Sequence, residues 1–144
     1  MTDMQKDHAR IHREWHRAAS HGDGAALIAL YADDAVLESP LVMALLSDKA
    51  EGALRGKAEI QRFLAAGARS RPIDLVRWYR PDAYFSAGST LIWEYPRETP
   101  DGDQVEIVEV MDIADGLIKH HRIYWGWKGC TLLALTLAAK QAAS

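Results

Sequence analysis

The sequence predicts an α+β domain, a curved antiparallel (mixed) sheet wrapped around three helices of the N-terminal half, with an extra helix at the C-terminus. Two observations carry this expectation. Up to residue 70 the apolar residues recur at helical spacing, whereas from residue 73 onward β-branched and aromatic runs alternate between Pro, Asp and Gly turn residues. The length of 144 residues fits one core, so residues 1–144 are read as a single domain.

The first helix is expected over residues 3–20, where Met4, Ile11, Trp15, Ala18 and Ala19 form a stripe, and Gly22 ends it. Asp23 then caps a second helix, GAALIALYA (24–32), and the Asp33–Asp34 pair is read as a turn or cap before the strand AVLES and Pro40. Residues 41–56 look irregular. A third helix, KAEIQRFLAAGAR (57–69), runs to the breaker Ser70-Arg71-Pro72. Four strand runs follow: IDLVRWYR, then AYF with STLIWEYP, then DQVEIVEVMDI, then GLIKHHRIYWGW. The tail KGCTLLALTLAAKQAAS returns to helix formers and is apolar on most sides until Lys140.

Composition excludes several classes of function. A net charge of −3 and a pI near 6.0 leave no basic footprint for nucleic acid, and no Lys/Arg cluster suits an anionic membrane. Cys130 is the single cysteine, which removes a disulfide framework and fits a reducing compartment. The charged N-terminus lacks an apolar leader, so the expected location is cytoplasmic. Five Trp and five Tyr are enough to line a pocket as well as fill a core.

The run VEIVEVMDIADGLIKHHRIYW poses a specific question, because Glu109 sits among apolar odd positions of one strand and His121 among those of the next. A three-residue loop Ala114-Asp115-Gly116 would pair Ile113 with Leu117 and set Glu109 directly opposite His121. A two-residue loop would place an apolar face against a polar one. Parity therefore favours the longer loop, with Ile107, Met111, Ile123, Trp125 and Trp127 sharing the inner face, as does Trp93 on its own strand. Val108, Val110, Ile118 and Tyr124 then fall on the outer face, among Glu106, Asp112, His120 and Arg122. That mixture suits a contact between sheets of two copies.

ALYADDAVLESP, GKAEIQRF and EVMDIADGLIKHHRIYW, in that order, resemble the SnoaL-like and ketosteroid isomerase-like branch of the nuclear transport factor 2-like superfamily, over about residues 10 to 127. The resemblance implies a cone-shaped α+β barrel, usually dimeric, with a deep apolar pocket for a small apolar ligand. No cofactor is expected. The isomerases' general base falls on Ser39 and their first-helix tyrosine on Trp15, so neither is kept. Their supporting tyrosine of the second helix is kept as Tyr31, that of the third is replaced by Leu64, and their oxyanion-hole acid falls on Glu109. Their pocket-lining positions fall on Val105, Ile107, Met111 and Trp125, and Phe63, Trp93 and Ile123 complete the expected lining.

The implied chemistry is acid/base work, of isomerase, cyclase or dehydratase type, with His121 as base or acid oriented by Glu109 and with Trp15 and Tyr31 as donors. A non-catalytic ligand-binding or dimerisation module of the same fold is the alternative. His8, His12 and His16 lie one helical turn apart and could share a metal, yet HREWH is not the zinc signature HExxH, and solvent-facing helical histidines are common. Arg77 could reach an anionic ligand if it faces inward. Glu59 reads as a first-turn residue that complements the helix dipole.

Overall fold

A computed structural model describes residues 1–70, 82–94 and 106–144. Helix α1 (Asp3–His21) is fixed at both ends by its own sequence. Thr2 and Gln5 form a reciprocal capping box, and Gly22 takes the left-handed conformation (φ 67°) that closes the last turn. After Asp23, whose carboxylate accepts from the Ala26 amide, α2 (Gly24–Ile28) is shorter than the sequence suggested. Tyr31 and the Asp33–Asp34 pair belong to strand β1 (Tyr31–Glu38) instead of a helix and its turn. Pairing with a strand on each side decides the matter, and both aspartates point to solvent, where Asp33 meets Lys57 and Asp34 meets Lys119.

The stretch 41–56, expected to be irregular, holds a one-turn helix α3 (Leu41–Leu45) and a strand β2 (Ala53–Arg55) that pairs antiparallel with β1. Helix α4 (Lys57–Ser70) follows. Strands β3 (Phe85–Ala87), β4 (Thr90–Glu94), β5 (Glu106–Ala114) and β6 (Leu117–Trp125) lead to α5 (Trp127–Ala142). The run 73–80, Arg77 and Val105 lie outside the described residues. Among these residues the sheet has six strands in the order β2-β1-β6-β5-β4-β3, curved and unclosed, so the expected barrel is an open sheet. It is mixed because β1 runs parallel to β6.

The β5–β6 hairpin differs from its expected form in an informative way. Its turn has two residues, Asp115 (φ 53°) and Gly116 (φ 71°), both left-handed, the type I′ geometry that Asp-Gly favours. Ala114 pairs with Leu117 and Ile113 with Ile118, but Asp112 then pairs with His120 and Glu109 with Ile123. One extra residue, Lys119, bulges out of the ladder. The bulge restores the parity that the short turn would have broken. It also turns Ile118, expected outside, into the core beside Ile113, while the Lys119 ammonium reaches Asp34 on the far side.

Helices α1 and α4 lie over one face of the sheet, on a core that includes Ile11, Leu37, Ile60, Leu91, Met111 and Ile118. The other face carries ion pairs, Glu38 with His120 and Asp112 with Arg122. Trp127, expected inward, begins α5 and is 78% exposed, since the strand ends at Trp125. Lys140 anchors the end of α5 by donating to the carbonyls of Met43 and Lys49. Gly116→Val is expected to destabilise the chain by about 1–2 kcal/mol, because a β-branched residue is strained at that φ and its Cβ would lie 3.3 Å from the Arg10 guanidinium. Urea unfolding checks it, and an unchanged midpoint would mean the turn relaxes freely.

Candidate functional site

Glu109 and His121 meet, although by another route than direct opposition. Glu109 faces Ile123 across the ladder and reaches His121 on the diagonal, which a glutamate is long enough to do. Its Oε2 is hydrogen-bonded to Nε2 of His121. Both side chains are nearly sealed, at 2% and 1% exposed. The β1–β6 pairing brings Tyr31 beside the same imidazole, with its hydroxyl 2.9 Å from Nδ1. Burial pushes the Tyr31 hydroxyl well above its ordinary range, against a hydrogen bond from Trp15, and the nearby Glu109 carboxylate adds to the rise.

One proton arrangement satisfies the whole row. The Glu109 carboxylate can only accept, so His121 donates to it from Nε2, and Nδ1 accepts the hydrogen of the Tyr31 hydroxyl. The remaining imidazole hydrogen then sits on Nε2 and faces the Glu109 carboxylate. Three residues on β1, β5 and β6 are thus linked in one direction, and both nitrogens of His121 are engaged within the protein.

The other expected lining residues are distributed as follows. Phe63, Trp93 and Met111 are buried in the core, with Trp93 directly opposite Glu109 on β4. Ile123 and Trp125 are partly buried on β6, and Ile107 lies on β5 at an irregularity in the pairing. Ser39 is buried beyond the end of β1, where its hydroxyl accepts from the Leu41 amide and starts α3, so it stands apart from the dyad. A cavity of about 340 Å³ opens between α1, α2 and α4, lined by Trp15, Ala18, Leu27, Leu64, Ala65 and Ala68. Glu109 and His121 do not line it.

The histidine row of α1 overturns its sequence reading. His8, His12 and His16 are buried, not solvent-facing. They share the inner stripe with Ile11 and Trp15, a signal that was present in their spacing. His8 Nδ1 lies 2.6 Å from the Ser86 hydroxyl, and His16 Nδ1 lies 2.7 Å from the His12 carbonyl. Among the described residues no group of three or more His, Cys, Asp or Glu could hold a metal.

Burial lowers the His8 imidazole below its ordinary value, against a backbone hydrogen bond at Ser89 and the charge of Asp7. Burial, helped by neighbouring His16, holds His12 down to about 3. A histidine whose folded value is depressed binds a proton more readily when unfolded, so stability is lost as pH falls. Between pH 6.5 and 5, above the carboxylate range, unfolding free energy is expected to fall by up to about 1.4 kcal/mol per pH unit for His12. Denaturant melts across that window check this, and a His12→Phe profile as steep as the parent's would remove His12 as the cause.

Comparison with known proteins identifies the family. The family model described as a SnoaL-like domain matches residues 12–121. A steroid Δ-isomerase of Nocardioides simplex is 36% identical over 115 residues, which is 75% of this chain and 80% of that protein. A solved NTF2-like protein from Mesorhizobium loti covers 88% of this chain and 96% of its own, at 22% identity and TM-score 0.63. Another from Burkholderia pseudomallei covers the same shares at 16% identity and TM-score 0.67. Among the described residues no helix is long and apolar enough to cross a membrane. With a family model over most of its length, the chain belongs to the SnoaL-like domain family, and it shares the fold of these NTF2-like structures.

Proposed function

We propose that the protein is a cofactor-independent proton-transfer enzyme for a small apolar carbonyl compound, working through Glu109 and His121. The observation that carries this reading is the buried carboxylate–imidazole pair on the apolar inner face, held from behind by Tyr31. Apolar surroundings are where enzymes place the acids and bases that move protons. Glu109 takes a proton from the carbon next to the carbonyl and returns it to a neighbouring carbon. His121, through Nε2–H, steadies the carboxylate, while Tyr31 fixes the ring that does so. Ser39, at the position of the isomerases' base, is occupied in starting α3, so the base is moved to the opposite wall.

The relation to a steroid Δ-isomerase suggests the assay. Wild-type protein is offered a β,γ-unsaturated 3-ketosteroid, followed by the absorbance of the conjugated enone, and small ketones in D₂O, followed by loss of α-hydrogens. Acceleration of either supports the reading. If neither exceeds the buffer rate, Glu109 and His121 only hold each other, and the domain is a binding or dimerisation module. We place a homodimer contact on the outer sheet face, supported by exposed Tyr124 beside Arg122. Light scattering should then report twice the chain mass of 16.0 kDa.

A further inference from the structure

Besides the row described above, the described interior holds two imidazole nitrogens that no hydrogen bond occupies, Nε2 of His8 and Nε2 of His12, and the second is the one walled by aromatic rings. His12 is 1% exposed, and its Nε2 is buried with no hydrogen-bond partner. A buried donor or acceptor left without a partner costs on the order of 1–3 kcal/mol. Folding alone gives no return for that cost at a helix position where Leu or Phe would pack. The ring is enclosed by others: His16 at 4.1 Å between centroids, Tyr84 at 4.8 Å, and Trp93 at 5.1 Å edge-on.

His16 differs in an important respect. Its Nδ1 is tied to the backbone of the preceding turn, which fixes its tautomer. The imidazole of His12 can offer either a hydrogen or a lone pair at Nε2. The shared neighbour is Trp93, which packs on His12 and pairs directly with Glu109. Its indole is a common wall between the free imidazole nitrogen and the proposed base.

We infer that Nε2 of His12 is the hydrogen-bonding partner of the oxygen of an uncharged, flat, largely apolar ligand, which lies along Trp93 with its reacting carbon toward Glu109. This deepens the proposed function and rests on that reading for the role of Glu109, although the binding claim stands by itself. The aromatic walls select a flat ring, since rings prefer offset or edge contacts with such neighbours. A charged ligand group is disfavoured, because its desolvation here would cost far more than one hydrogen bond returns. The oxygen is a hydroxyl or a carbonyl, and a neutral imidazole serves either. Entry requires the Tyr84 and Trp93 rings to shift, since Nε2 is closed off in the ligand-free protein.

The test compares 2-naphthol with naphthalene, two flat probes that differ by one hydroxyl, by calorimetry on the full chain. Wild type is expected to bind 2-naphthol about five- to tenfold more tightly, the worth of one net hydrogen bond. His12→Phe should keep its affinity for naphthalene and lose the preference, whereas His12→Gln should keep part of it. Should His12→Phe fail to fold, ¹⁵N spectra of histidine-labelled wild type read the same contact directly, as a shift of the His12 Nε2 resonance with 2-naphthol and none with naphthalene. Equal affinities in wild type, absence of binding, a preference that survives His12→Phe, or an unmoved Nε2 resonance would each overturn the inference. Glu109→Gln separates the two claims. It should abolish turnover and leave the naphthol preference intact, so an inactive wild type that still shows the preference would sink the enzyme reading alone.

Discussion

Glu109→Gln is expected to lower proton-transfer turnover by about 10²–10⁴-fold, the usual worth of a positioned acid or base, while the protein stays folded. Glutamine has nearly the shape of glutamate, and its amide oxygen still accepts from Nε2–H of His121, so the row through His121 to Tyr31 survives. What disappears is the carboxylate as proton acceptor. Glu109→Ala is a poorer probe. It strands the His121 hydrogen in a sealed interior at a cost of about 1–3 kcal/mol and confuses lost chemistry with lost stability. Steady-state rates on whichever ketone the wild type accepts, with a thermal melt beside them, decide the point. A Gln variant as fast as the parent would show that Glu109 is a structural partner of His121 and nothing more.

Trp93→Ala is expected to have the largest effect on stability, about 3–5 kcal/mol. For a chain of this length that is a fall of roughly 10–15 °C in melting temperature. The indole is among the largest fully buried side chains and stacks between Trp15 at 5.4 Å, His16 at 5.4 Å and His12 at 5.1 Å. Its removal leaves a void bordered by imidazoles and by Glu109, groups that cannot close over it without exposing polar atoms to one another. Water entering that void would reach the dyad, so both binding and turnover should fall with the melting temperature. A Trp93→Phe variant should recover most of the stability, and a loss below about 1 kcal/mol for Trp93→Ala would mean that the site collapses easily.

Much of the fold could be read from residues whose behaviour depends on near neighbours. Thr2 with Gln5, Gly22 and Asp23 mark helix ends because capping is local, and the alternation around Met111 marks a strand for the same reason. The short helix at Leu41–Leu45 escaped because five residues give no period, and Tyr31 was assigned to a helix because ALIALY reads helically until the sheet claims its end. The Glu109–His121 contact followed from parity, although through a turn and a bulge that compensate each other. Their sum could be inferred, their parts could not. Tyr31 behind His121 depends on a parallel pairing between β1 and β6, some 90 residues apart, for which the chain carries no local mark. The histidines of α1 read as solvent-facing by their polarity, whereas their place on the stripe of Ile11 and Trp15 turns them inward.

The bulge at Lys119 also governs how the length of this hairpin can vary. Lys119 has no partner in the β5 ladder, so removing it leaves Ile118 opposite Ile113 and His121 opposite Met111, with every side chain on the face it already occupies. One residue lost anywhere from His121 to Tyr124 would instead reverse the facing of part of β6 and carry a histidine or an aromatic ring to the wrong side. A single gap is therefore absorbed at the bulge, by loss of Lys119 or of His120 with Lys119 in its place, which makes the strand tolerant of drift in length there and intolerant of it along the stretch that carries the site.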